Sequence, residues 1–149
     1  DGVAAILDIR RRASFEGQAA MALEAVADPA ESGRYDVEWS SDDVRKIRPA
    51  PLIRGVVQDR LDGVAPRVIS GRFHNTLIHL FTALCLEIRR ETGLGHVVMS
   101  GGVFQNVILL AGLTRALEKS GFEVSNHARV PANDGGLAIG QAMVAAAAG

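Results

Sequence analysis

Two short stretches constrain this chain more than anything else in it: Ser100-Gly101-Gly102-Val103-Phe104-Gln105-Asn106 and Val130-Pro131-Ala132-Asn133-Asp134-Gly135-Gly136. Each falls where an apolar run that reads as a strand gives way to one that reads as a helix. Each sets two adjacent glycines and a short polar side chain at the handover. Such a turn aims unpaired backbone N–H groups and a helix N-terminus at one place, which suits a phosphate or another anion. Two of them in one small unit predict a nucleotide pocket.

The surrounding pattern predicts what carries them. From Ser70, the residues Phe73, Leu77, Leu80, Phe81, Leu84 and Ile88 recur at intervals of three and four, giving an amphipathic helix that stops near Gly93. His96–Met99 reads as a short strand. Asn106 is a good N-cap for a helix running to Ser120, with Gly121 as its stop. Phe122–Ser125 is the next strand and Gly135–Ala148 a last helix. This alternation predicts an α/β layer architecture. Upstream, Gly2–Ile9 reads as the tail of an apolar helix, Ala19–Val26 as a helix, and Leu52–Leu61 as a short helix ending at Gly63. Residues 28–51 hold Pro29, Pro49, Pro51, Gly33 and many charges, and read as a surface insertion with a strand at Tyr35–Trp39.

Composition narrows the function classes. With 149 residues the chain is one domain, or one lobe of a larger one, and its 48% hydrophobic content supports a packed core. Net charge is −1, from 16 Lys and Arg against 17 Asp and Glu, so no global field attracts nucleic acid. The local run Arg10-Arg11-Arg12 reads as a solvated helix end rather than a docking patch. No apolar run approaches the ~20 residues of a membrane span. Cys85 is the only cysteine, which excludes an internal disulfide and points to a reducing, cytoplasmic setting. It falls in the apolar helix and reads as a buried structural thiol.

The polar residues at the turns each admit a bland and a chemical reading. The glycines lack the lysine and hydroxyl of a P-loop, and G-x-G-x-x-G is absent. Asn106 either caps its helix or hydrogen-bonds a ribose or base, and capping is the simpler role. Asp134 is either an N-cap before Gly135 or a metal ligand. Glu16 reads as a first-turn charge complementing a helix dipole, with a ribose acceptor as the alternative. His74 and His79 are five apart, about 140° around a helix, so they face different ways. His96 and His127 read as isolated. A metal site made by this chain alone is not expected; one shared with residues elsewhere stays open.

Phe73-His74-Asn75-Thr76, Met99 to Asn106 and Val130 to Ala142, together with Asp1 to Leu7 and Ser14 to Ala20, closely resemble the C-terminal region of HypF-type carbamoyltransferases. These are maturation factors of nickel–iron hydrogenases. The match spans nearly the whole chain and is weakest over 28–68. It implies an α/β lobe of the actin/sugar-kinase/Hsp70-like fold, the second half of a carbamoyltransferase domain whose active centre lies between two lobes. On this resemblance residues 1–149 are one such lobe with a surface insertion near 28–68, and one wall of the site.

The implied chemistry starts from carbamoyl phosphate and ATP, which give carbamoyl-adenylate in a separate domain. The carbamoyl group then passes to the C-terminal cysteine of HypE, on the way to the cyanide ligand of the hydrogenase iron. By motif position, Asp1, Glu16, Gly17, Gly101, Gly102 and Asn106 match the nucleotide-contacting set. Asp134 matches the carboxylate that completes a divalent metal site with a histidine pair. Which residues are catalytic is left unassigned. The histidine-rich metal motif lies upstream of anything in this sequence, so the lobe alone is expected to be inactive. Two rivals stand beside this reading: a module that only binds nucleotide or partner, and a relative of the tRNA threonylcarbamoyl transferases. The near-neutral charge and the Asn-Asp-Gly-Gly order speak against the second, and a sugar-kinase-type phosphotransferase is weaker still.

Overall fold

Helix α1, Gly2–Ile6, is shorter than the apolar run that encodes it. Asp8 adopts a left-handed backbone, φ 59°, a conformation aspartate tolerates better than most residues, and the helix ends just before it. The computed structural model describes residues 1–40 and 45–148; residues 41–44, part of the expected insertion, and Gly149 lie outside the described residues. The chain divides into two compact units, Asp1–Phe81 and Thr82–Gly149.

In the first unit α1 packs on α2 (Gln18–Ala25) and on α3 (Ala50–Leu61). The core is Val3, Ala4 and Leu7 of the first segment, Ala19 and Leu23 of α2, Leu52 and Val56 of α3, and Ile69 of α4 (Pro66–Thr92). Full burial of each larger aliphatic side chain contributes about 1.5–3 kcal/mol. Part of the stretch read as a surface insertion therefore supplies core, through Leu52 and Val56. A two-residue antiparallel pair, β1 (Glu38–Trp39) with β2 (Ile47–Arg48), is all that forms of the strand expected over Tyr35–Trp39. The reason lies at Tyr35, whose backbone N–H donates to Thr76 Oγ1 at 2.8 Å rather than to a neighbouring strand.

Polar side chains fasten that segment to α3 and α4. Tyr35 donates its hydroxyl to Asp59 Oδ2 at 2.7 Å, and Arg72 Nη1 donates to the same oxygen at 2.8 Å. Asn75 Nδ2 donates to the carbonyls of Glu31 and Gly33, at 2.7 and 3.1 Å. Burial, then the bond to Asp59, pushes the Tyr35 phenol well above its ordinary range. Gly71 marks a close approach to the 28–31 backbone: a Cβ there would lie 2.8 Å from Glu31 Cβ and 3.0 Å from the Asp28 carbonyl oxygen.

The second unit is built on a parallel pair, β3 (His96–Met99) with β4 (Glu123–Asn126), in the register His96↔Glu123 through Met99↔Asn126. Helix α5, Val107–Lys119, connects them and buries Leu109, Leu113 and Leu117, a four-residue spacing that keeps one face inward. Phe122, buried at the entrance to β4, lies under the Arg89 guanidinium, 4.1 Å from the ring centroid, while Arg89 Nη1 donates to the Ser120 carbonyl at 2.9 Å. Cys85 is half-buried and outside the core, contrary to the expected buried thiol; partial burial still pushes its pKa up. The last helix, α6 (Leu137–Ala148), has no buried residue. No helix among the described residues is long and apolar enough to cross a membrane.

Candidate functional site

In parallel α/β sheets ligands bind beyond the carboxyl ends of the strands, and both glycine turns leave from that edge. β3 ends at Met99 and the chain enters Gly101 at φ 104°, ψ 159°, a backbone that L side chains rarely adopt. Gly101 N–H donates to the Ala132 carbonyl at 2.9 Å, stapling the first turn to the second. A Cβ on Gly102 would meet Asn133 Cβ at 3.9 Å and nothing closer, so the two turns are neighbours with room between them.

Neither turn runs straight into its α-helix. Gly102–Gln105 is one 3-10 turn, and α5 starts only after Asn106. Asn106 Oδ1 accepts from Leu109 N at 2.9 Å, the capping role. At the second turn a 3-10 segment, Asp134–Gly136, precedes α6. Here the cap is not Asp134. Asn133 takes it, its Oδ1 accepting from Gly135 N at 3.1 Å. Asp134 is exposed, and its carboxylate makes no hydrogen bond or ion pair among the described residues.

Gly101, Gly102 and Asn106 thus share one edge with the Asn133–Asp134 turn. Asp1, Glu16 and Gly17 belong to the first unit. Asp1 precedes α1 without a side-chain cap bond, Glu16 is exposed, and Gly17 sits at the N-cap of α2 with φ 79°, so it is Gly17 that opens the helix Glu16 was read as complementing.

The structure also joins residues that the sequence left apart. His127, read as isolated, has Nε2 2.8 Å from Ser100 Oγ, and His96 Nε2 lies 2.8 Å from Ser125 Oγ. Ser100 and His127 each follow their strand by one residue. The Met99↔Asn126 register therefore sets them side by side, a pairing that emerges only once the strands are aligned. The other histidines stay apart as expected. His74 is buried, with Nδ1 donating to the Ser70 carbonyl at 2.8 Å, and burial holds its pKa below the ordinary imidazole value. His79 Nδ1 is 3.1 Å from Arg34 Nη1; burial and then the guanidinium lower its pKa. No group of three His, Cys, Asp or Glu able to hold a metal occurs among the described residues. One hard, uncommitted carboxylate, Asp134, fits a divalent cation as a single ligand and no more.

Comparison with known proteins gives the family and the fold. Residues 1–141 match the family profile of the carbamoyltransferase Kae1-like domain, second subdomain. The carbamoyltransferase HypF of Rhodobacter capsulatus is 39% identical over 152 residues, covering 99% of this chain and 19% of its own length. That of Synechocystis sp. is 33% identical over 145 residues, covering 96% and 18%. The chain thus spans about a fifth of the length of these relatives. A crystal structure of full-length HypF in a phosphate- and nucleotide-bound form superposes with a TM-score of 0.90 at 44% identity, covering 96% of this chain and 19% of that one. The T. kodakarensis HypF structure gives 0.77 at 25% identity, with the same coverage. The fold is therefore that of the Kae1-like subdomain, and the chain belongs to the HypF carbamoyltransferase family.

Proposed function

We propose that this region forms one wall of a carbamoyl-adenylate site, in a cytoplasmic enzyme that transfers the carbamoyl group to the C-terminal cysteine of HypE. The observation that carries the reading is the staple from Gly101 N–H to the Ala132 carbonyl, which sets both glycine turns at one strand edge. That a 44%-identical full-length relative is found in a phosphate- and nucleotide-bound form supports nucleotide binding by the enzyme. Gly101 and Gly102 leave the edge free of side chains where a phosphate would approach, and Asn106 fixes the exit of that turn. Asp1, Glu16 and Gly17 are the nucleotide contacts proposed from the first unit.

In the transfer step the cysteine sulfur attacks the carbamoyl carbon and a C–S bond forms. The bond from that carbon to the AMP phosphate oxygen breaks, AMP departs, and the thiol proton passes to solvent. Charge develops on the carbamoyl and phosphate oxygens, and a bound divalent cation would supply Lewis-acid polarisation of them. Asp134 would hold that cation together with histidines outside this chain. Its carboxylate is available because Asn133 performs the capping. The lobe alone has too few ligands for this and binds without turning over.

Asp134→Asn in a full-length enzyme carrying this region tests the assignment. Metal content and carbamoyl transfer from carbamoyl phosphate and ATP to HypE should both fall, transfer by at least about a hundredfold or roughly 2.7 kcal/mol, with an unchanged melting curve. Normal metal content with normal transfer would remove Asp134 from the site.

A further inference from the structure

The Ser100–His127 pair stands at the mouth of the stapled turns, and the family comparison assigns it nothing. Its placement follows from the sheet. Met99 is buried, so its neighbours Val98 and Ser100 fall on the opposite, exposed face of β3. Val98 pairs in register with Ser125, and two residues on, Ser100 meets His127 on that same face. Ser100 is also the residue directly before Gly101, whose N–H holds the second turn.

The hydrogen-bond chemistry of the pair has a direction. An imidazole Nε2–H donating to Ser100 Oγ leaves the serine hydroxyl hydrogen free to be donated onward. A negative oxygen bound at the turn favours this arrangement, because a bond donated to an ionised acceptor is stronger than one between neutral groups. Resting on the nucleotide reading above, we propose that His127 is a positioning residue: it holds the Ser100 hydroxyl beside the Gly101–Gly102 turn so that this hydroxyl donates to a phosphoryl oxygen.

The molecule contains its own control. His96 and Ser125 make the same contact, also at 2.8 Å, in the same sheet. His96, however, opens β3, about 13 Å of strand before Ser100 at ~3.3 Å per residue. If such pairs merely solvate the sheet face, the two are equivalent; if the pair at the carboxyl edge serves a phosphoryl group, they are not.

The test is calorimetry on a full-length enzyme carrying this region, with AMP, adenosine and inorganic phosphate as probes. Ser100→Ala and His127→Phe should each weaken AMP about tenfold and leave adenosine and the melting curve unchanged. The double variant should be no weaker than the worse single one. His127→Gln should recover most of the affinity, since its amide nitrogen takes the place of ring Nε2. His96→Phe should change nothing. A loss seen with inorganic phosphate but not with AMP would still support the pair and assign it to the free anion. Gly102→Asp, which the open space at that position accommodates, checks the underlying reading by placing a carboxylate in the turn. If Gly102→Asp weakens AMP while the Ser100 and His127 variants bind every probe normally, the pair has no such role. Equal losses for AMP and adenosine, or an equal loss in His96→Phe, would overturn it too. If even Gly102→Asp leaves AMP binding intact, the nucleotide reading itself falls, and the pair's role with it.

Discussion

Two aspartates show how differently the same side chain is used in this chain. Asp59 is largely buried and accepts from both the Tyr35 hydroxyl and Arg72 Nη1 through one oxygen, so its charge is spent on tying the 28–37 segment to α3 and α4. Asp134 is exposed and uncommitted, because its neighbour Asn133 has taken the structural task. A carboxylate satisfied inside the fold has little left for a ligand. One left unsatisfied beside two glycine turns is available for chemistry.

The largest stability effect should fall on the first of the two. Asp59→Ala strands a partly buried phenol and leaves Arg72 with Glu31 as its remaining partner, and should cost about 1–3 kcal/mol in chemical denaturation. Asp134→Ala should leave the unfolding midpoint where it is. Equal losses would erase the distinction. Asn106→Ala comes next and sharpens the contrast, because Asn106 sits at the site yet is structurally engaged. Loss of the cap should cost about 1 kcal/mol of stability. A weakening of AMP by a further 0.5–1.5 kcal/mol or so would show that its amide also reaches the ligand, and unchanged affinity would leave it a cap. The smallest effect concerns pH. His74 faces Ser70 and Glu24, and its folded pKa lies below its unfolded value of about 6.5 because burial outweighs both. Stability from the neutral ring is therefore present above that value and declines as pH falls through the lowered folded pKa. A pH series of melting curves should show this decline, reduced in His74→Phe; an identical acid profile in the variant would place the sensitivity elsewhere.

What the sequence disclosed divides by the range of the interactions involved. Helix α5, its Asn106 cap and both strands of the parallel pair were legible because periodicity and capping act over a few residues. Helix α4 begins at Pro66, four residues before the point from which its apolar periodicity is clear, with the proline in its first turn. The strand expected over Tyr35–Trp39 shrank because Thr76, forty-one residues away, captures the Tyr35 amide. Which of Asn133 and Asp134 caps the second turn depends on side-chain rotation, and spacing does not encode that. The Ser100–His127 pair needs strand register, a property of two segments aligned across an intervening helix. The turns that define the candidate site were readable, then, while the partners of their polar groups were not.

Gly71 carries a consequence for how this sequence can drift. A single added carbon there meets backbone and side-chain atoms of the 28–31 turn at 2.8 and 3.0 Å, and the Asp28 carbonyl cannot swing aside as a flexible side-chain tip would. A side chain at position 71 therefore requires the 28–31 turn to shift. A relative with alanine at this place should have rerouted or lengthened its 28–31 segment, so a change in one part of the chain would be readable as a compensating change some forty residues earlier.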